Sequence, residues 1–349
     1  DEIDPAVLYK GAMEGMLNSL EDPYTSYIFK DTTAGHDLED TTTGVFGGIG
    51  VHITKSNVST PERPAYVEVA SPIEGTPGWK AGLQPGDYII EIDGVKTEEI
   101  TQDEVLNMLR GKEGTQVTIK ILRGKNLKFD LTLTRAIIEV PTIKYTKIGK
   151  DIAYIRLIEF NPNSAKRITE AIEKLQAEGC TKLIFDLKNN PGGLITSSID
   201  VASIFLESGV VVSTKGRARN TSETYNVRRF VKRLPKDMPV VVLINEGSAS
   251  ASEIVAGALK DHKRAYLVGT RSYGKGLVQS VVQLSEKELV KLTIARYYSP
   301  SGANINKQGI LPDLEVTRPS FTPDEEKSVL ELLKTSKIAN FTRSKPSIS

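Results

Sequence analysis

Two short segments hold residues whose types and spacing could carry out acyl transfer. One is Asn245-Glu246-Gly247-Ser248-Ala249-Ser250-Ala251-Ser252-Glu253-Ile254, and the other is Gly274-Lys275-Gly276-Leu277-Val278-Gln279. A hydroxyl attacks a carbonyl only once a base takes its proton, and the base on offer here is an amine rather than an imidazole. Ser250 follows an apolar strand (239–244) and a glycine turn, where a helix is expected to begin. The first N–H groups of a helix lack intrahelical partners and suit a developing oxyanion, which makes the Ala251 N–H a candidate donor. The pattern leaves the choice among Ser248, Ser250 and Ser252 open, since any of them could simply cap the helix.

Lys275 stands between two glycines at a strand entrance, with Gln279 four residues on. Residues i and i+4 of a strand project to one face, so the two side chains are expected to meet there. A lysine acting as base must be neutral, although its ordinary titration lies near about 10.4. Burial without a carboxylate partner lowers that value, and no acidic residue stands between Arg271 and Ser285. Gln279 would then aim the amine, as the third member of a triad does. A second oxyanion donor is expected from Gly192 or Gly193 in Asn190-Pro191-Gly192-Gly193, where glycine lets the backbone approach a ligand closely. The sequence does not choose between those two.

Histidine is not needed for this chemistry. Of the three, His262 closes the helix that Ser250 opens, roughly 18 Å away by helical rise, and His36 and His52 lie far off in sequence. No His/carboxylate spacing resembles a metal site, and no cofactor is implied. The lone Cys180 cannot form an internal disulfide and reads as a small hydrophobe just past a helix end. Lys and Arg number 45 against 44 Asp and Glu, with no long single-sign run, which argues against nucleic acid as the main partner. No apolar run is long enough to span a membrane. Asp1 follows no Met, and a removed leader or anchor is expected ahead of it.

The elements that must position these residues fall into blocks over the 349 residues. Val7, Leu8, Ala12, Met16, Leu17 and Leu20 predict a helix over 5–20 with one buried stripe. Asp22-Pro23-Tyr24 breaks it, and the polar Gly/Thr-rich stretch from 31 to 45 reads as a linker. A compact β-rich block follows over 45–137, with a helix near 103–110 and a strand near 117–121. Strands and helices then alternate: a strand at 152–157, a helix at 163–178 stopped by Gly179, a strand at 183–187, a helix at 195–206 and the 239–244 strand leading to Ser250. Strands at 265–269, 277–284 and 290–297 precede a closing turn at 309–313 and a short amphipathic helix at 323–335. In the β-rich block, Gly48-Ile49-Gly50 presents successive small-residue N–H groups before a strand, a nest suited to a terminal carboxylate, beside which an extended peptide could add to a sheet edge.

Taken together these motifs resemble the carboxyl-terminal processing peptidases, the tail-specific serine–lysine type. The resemblance rests on Asp22-Pro23-Tyr24 with Tyr27, on Ala81 to Asp87 and Ile92-Asp93-Gly94 of a PDZ domain, and on Asp186-Leu187 with Asn190 to Gly193. It extends through Ser248 to Ile254, Gly274 to Gln279, Ser301-Gly302 and Gly309 to Asp313. It departs from the family at Ala303, where arginine is usual, and at His36, usually an apolar position. The resemblance implies an α/β multidomain protein: a crotonase/ClpP-like α/β peptidase core with an inserted PDZ domain and terminal helical segments. The expected division is 1–44 (helical segment and linker), 45–137 (PDZ), 138–317 (peptidase core) and 318–349 (helical segment). It makes Ser250 the nucleophile, Lys275 the base and Gln279 the orienting residue. The PDZ domain would bind the free, apolar C-terminus of a protein substrate through Gly48, Ile49 and Gly50 and gate the site, with Arg110 coupling it to the core. A homodimer formed through the terminal helices and an extracytoplasmic bacterial location are also expected. The competing readings are a non-catalytic PDZ scaffold and a crotonase-like acyl-CoA enzyme. The Ser250/Lys275/Gln279 set speaks against the first, and the PDZ insertion together with the serine–lysine pair against the second.

Overall fold

The computed structural model describes residues 4–56, 65–218, 222–229 and 232–317. Its centre is a sheet whose strands Ile152–Leu157, Lys182–Asp186, Val240–Ile244 and Tyr266–Gly269 run parallel, with Ile143–Ile148 antiparallel at one edge. Parallel sheets bury both faces, so their strands carry near-continuous apolar runs. Ile155, Phe185, Val242 and Leu267 are accordingly removed from solvent. Helices Ser164–Ala177, Ile195–Phe205 and Ala251–Asp261 contribute Ile168, Ile199 and Val255 to the same core. The candidate catalytic turns, Asn190–Gly193 and Asn245–Ser250, both leave the carboxyl ends of parallel strands. Open α/β sheets bind ligands at such ends.

A second, antiparallel sheet brings in the other half of the candidate chemistry. Strand Glu288–Tyr298 pairs with Leu277–Gln283, with Val210–Gly216 and with the early strand Ser26–Phe29. That last pairing carries residues 22–25 across the molecule toward Lys275.

The β-rich block has its own core of Val67, Val69, Ile89, Val105, Ile119 and Ile121. Alternating burial along Gln116–Arg123 fits a half-covered strand, and Thr101 and Glu104 cap helix Gln102–Leu109 reciprocally. A two-stranded ribbon, Val45–Gly48 with Ala136–Glu139, joins the block to the rest of the chain.

Two expectations need correction. The stretch from 31 to 45 is not a linker but helix Thr33–Thr43, with the Thr32 hydroxyl accepting the Gly35 N–H at its start. Its Thr- and Asp-rich sequence has weak helix propensity, so neighbours must supply the stability. Thr33 N donates to Asp103 at 2.7 Å, His36 meets Asn107 at 2.9 Å, and Asp40 pairs with Arg110. Helix Pro5–Asn18 does form, but of its stripe only Leu17 is buried, while Val7, Leu8 and Met16 remain more than half exposed. The predicted helix at 323–335 lies outside the described residues.

Candidate active site

Three serines enter the turn after Val240–Ile244, and the structure separates their roles. Ser248 Oγ donates to the Leu187 carbonyl at 2.8 Å, and Ser252 Oγ donates to the Asn190 carbonyl at 3.0 Å. Both hydroxyls thereby pin this turn to the loop after Lys182–Asp186. Among the described residues Ser250 Oγ has no backbone carbonyl to serve; its side-chain partner is the Tyr297 hydroxyl, which burial pushes up to about 12. Ser250 also sits at φ 55°, ψ −113°. That backbone is costly for a residue with a Cβ and is kept where the surroundings over-determine it.

The overdetermining group is Glu253, one helical turn on and wholly buried. Its Oε2 accepts the Ser250 N–H at 2.9 Å and the Lys275 N–H at 2.8 Å, while Oε1 accepts Ser272 Oγ at 2.6 Å and the Gly274 N–H at 2.7 Å. One carboxylate therefore fastens the serine turn to the lysine turn. Burial pushes its proton affinity up, and the four donated bonds oppose this.

Lys275 is half-buried, with Nζ 4.5 Å from the centroid of the Tyr24 ring. Burial lowers it from the ordinary lysine range and the nearby Lys291 charge adds to this, against the pull of Asp22 and Glu253. The Tyr24 hydroxyl is pushed up to about 12 by its hydrogen bond with Tyr273. Among the described residues no hydrogen bond joins Lys275 Nζ to Ser250 Oγ or to Gln279. Lys275 precedes strand Leu277–Gln283, whose pairing with Glu288–Tyr298 is bulged at Ile294, and Gln279 Nε2 donates to Thr293 Oγ1 on that partner strand at 3.3 Å.

The candidate oxyanion donors divide. Gly192 N–H donates to Asn190 Oδ1 at 2.9 Å, whereas the N–H groups of Ala251 and Gly193 have no acceptor among the described residues. Both glycines are forced by crowding at positive φ. A Cβ on Gly192 would stand 2.8 Å from Ser250 Cβ, and one on Gly193 would stand 2.1 Å from the Phe160 carbonyl oxygen.

A cleft of about 560 Å³ is lined by Gly48, Ile49, Gly50 and Arg110 and also by Asn189 and Pro191. The Ile49 carbonyl accepts from Gly78 N and the Gly50 carbonyl from Ile73 N, while their own N–H groups have no acceptor among the described residues. Arg110 holds Asp40 with two bonds of 2.7 Å and lies 4.8 Å over the Phe46 ring. It thus reaches helix Thr33–Thr43, whose Thr41 in turn bonds Glu159 beside the central sheet. His262 bonds the Val210 carbonyl at 2.8 Å, a structural role at a helix end.

Glu253 and Tyr297 were not singled out by sequence, and Tyr24 was given no role at the site. Glu253 could have been, because a glutamate three residues after a serine has capping-box spacing. Tyr24 lies about 250 positions from Lys275 and entered the sequence reading only as part of Asp22-Pro23-Tyr24, with no sign that it meets the lysine.

Comparison with known proteins places these features in a family. The peptidase family S41 profile matches residues 151–316, a PDZ domain profile residues 68–123, and the profile described as the activating protease CtpB N-terminal domain residues 1–32. A carboxy-terminal-processing protease of Bartonella bacilliformis is 42% identical over 324 residues, covering 90% of this chain and 71% of that one. A carboxyl-terminal-processing protease of Synechocystis is 38% identical over 313 residues, covering 88% and 71%. Among solved structures, a photosystem II D1 C-terminal processing protease superposes with TM-score 0.53 at 30% identity, covering 96% of this chain and 88% of that one.

Proposed function

We propose, from the premise that this chain belongs to the PDZ-bearing carboxyl-terminal-processing serine proteases of peptidase family S41, that Ser250 is its nucleophile and Lys275 its general base. Its substrates are peptides or proteins. The observation that carries this assignment is the freedom of Ser250: Ser248 and Ser252 spend their hydroxyls on backbone carbonyls, and Ser250 is held in a strained conformation without such a bond. In the reaction Lys275 leaves the Tyr24 ring, takes the Ser250 proton as Oγ adds to the scissile carbonyl, and returns it to the departing amine. The N–H groups of Ala251 and Gly193 hold the oxyanion, Gly192 supports the turn, and Gln279 orients the amine when it swings in.

The glycine nest at Gly48, Ile49 and Gly50 binds the substrate's apolar C-terminus, and the continuous cleft toward Asn189 and Pro191 is consistent with delivery of the chain to Ser250. Arg110 couples occupancy of the nest to the core through Asp40 and helix Thr33–Thr43. Cleavage of an unstructured protein ending in apolar residues tests the assignment. The native chain should cut, and Ser250→Ala and Lys275→Ala should not; cutting by Ser250→Ala would displace the nucleophile.

Among the described residues no helix is long and apolar enough to cross a membrane. An extracytoplasmic location fits the kind of relatives this chain has, and detection of the native protein only in a cytoplasmic fraction would refute it. The exposed Val7, Leu8 and Met16 support a homodimer through helix Pro5–Asn18. Light scattering on the eluting protein should give twice the 38.2 kDa chain mass, and a clean monomer would reject the dimer.

A further inference from the structure

Resting on the Ser250–Lys275 assignment, we propose that Glu253 is a positioning residue that sets both the separation and the charge environment of nucleophile and base. A single buried oxygen, Oε2, takes the backbone N–H of Ser250 at 2.9 Å and that of Lys275 at 2.8 Å. The two reactive side chains therefore hang from main-chain points whose spacing is fixed through one atom, on two segments that approach from different sheets. The other oxygen completes the clamp on the lysine side through Ser272 Oγ and the Gly274 N–H. All four partners donate, so the ionised carboxylate is the form that satisfies them. An amide in its place would turn an NH₂ group toward two donors.

The same anion acts on the base. The charged and titratable groups around Lys275 come from four elements: Asp22 and Tyr24 from the early turn, Tyr273 from the preceding loop, Lys291 from strand Glu288–Tyr298, and Glu253 from helix Ala251–Asp261. Of these, Asp22 and Glu253 favour the charged lysine. Glu253 faces Tyr24 and Tyr297 as well as Lys275, and each would feel its charge. A residue needed only for folding would leave the titration of Lys275 where it is.

The test is steady-state kinetics on a peptide substrate across pH, with near-ultraviolet circular dichroism to establish folding. Glu253→Gln should lower kcat by about 100-fold, as loss of reactive geometry does, with KM within about twofold. The acid limb of kcat/KM should move to lower pH, because removing a neighbouring anion makes the lysine easier to deprotonate. Glu253→Asp keeps the charge and shortens the reach; it should lower kcat while the acid limb stays in place. A folded Glu253→Gln with native kcat, or with an unmoved acid limb, overturns the proposal. If that variant does not fold, Glu253→Asp decides: native kcat overturns the proposal and reduced kcat with the limb in place supports it. Cleavage surviving in Lys275→Ala instead defeats the underlying assignment, and the proposal with it. That result is distinct from an inactive Lys275→Ala beside a fully active Glu253→Gln, which defeats the proposal alone.

Discussion

Lys275 Nζ rests 4.5 Å from the centroid of the Tyr24 ring, so the proposed base has an aromatic face as a near neighbour. The contact does two opposing things. A cation over a ring is stabilised by about 0.5–2 kcal/mol, which favours the charged amine. The ring also covers the lysine, and burial is the largest influence lowering it from its ordinary range.

Replacing Tyr24 by Ala removes both effects, and the larger one decides the sign. Water reaches Lys275, its proton affinity rises toward that of free lysine, and a higher pH is needed for the neutral base. The acid limb of kcat/KM should therefore move to higher pH in Tyr24→Ala and stay put in Tyr24→Phe, which keeps the ring. A limb that moves to lower pH in the alanine variant would mean that the cation–ring contact outweighs burial.

The Arg110–Asp40 pair joins the helix of the β-rich block to helix Thr33–Thr43 with side chains only 18% and 16% exposed. Asp40→Asn removes the counter-charge hydrogen-bonded to the guanidinium, leaving Asp37 as the remaining nearby carboxylate, and should cost about 1–3 kcal/mol of stability, read from the urea midpoint. Arg110→Ala should in addition raise KM for a substrate with a free tail. Native values of both quantities would remove the pair from any coupling role.

Gly192 leaves no room for a side chain beside the serine turn, its added Cβ falling 2.8 Å from Ser250 Cβ and 2.9 Å from the Ala249 carbonyl oxygen. Gly192→Ala should displace Ser250 and lower kcat by about 100-fold or more. The measurement is single-turnover cleavage by the variant, checked for folding by its thermal transition. A fully active variant would show that the turn can yield without cost.

Much of the central sheet was legible because buried strands such as Val240–Ile244 are unbroken apolar runs and helices such as Ser164–Ala177 show one apolar face. Helix Thr33–Thr43 was not, since its stability comes from partners about 70 positions away. Strand Ser26–Phe29 was missed for the same reason: four residues carry little pattern until Glu288–Tyr298 lies beside them. At the site, motif spacing identified Ser250 and Lys275 as candidates, but the hydrogen-bond partner of Gln279 was not legible, because Thr293 stands 14 positions away on the neighbouring strand. Glu253 was hidden by a local role, the cap of its helix, that is indistinguishable in sequence from its longer reach to Lys275.

The pairing of Ser26–Phe29 with Glu288–Tyr298 has a consequence for how the protein is made. Thr25 receives a hydrogen bond from Thr293, a contact spanning 268 positions, and Tyr24 reaches Lys275 only when that pairing is in place. Contacts of such long range are among the slowest to form. During synthesis the early strand must wait, unpaired, for nearly the whole of the described chain to emerge. Until it docks, Lys275 lacks the Tyr24 ring that covers it in the folded protein. On the proposed assignment, a copy in which this strand has not docked would hold its lysine charged and would not yet cut its neighbours.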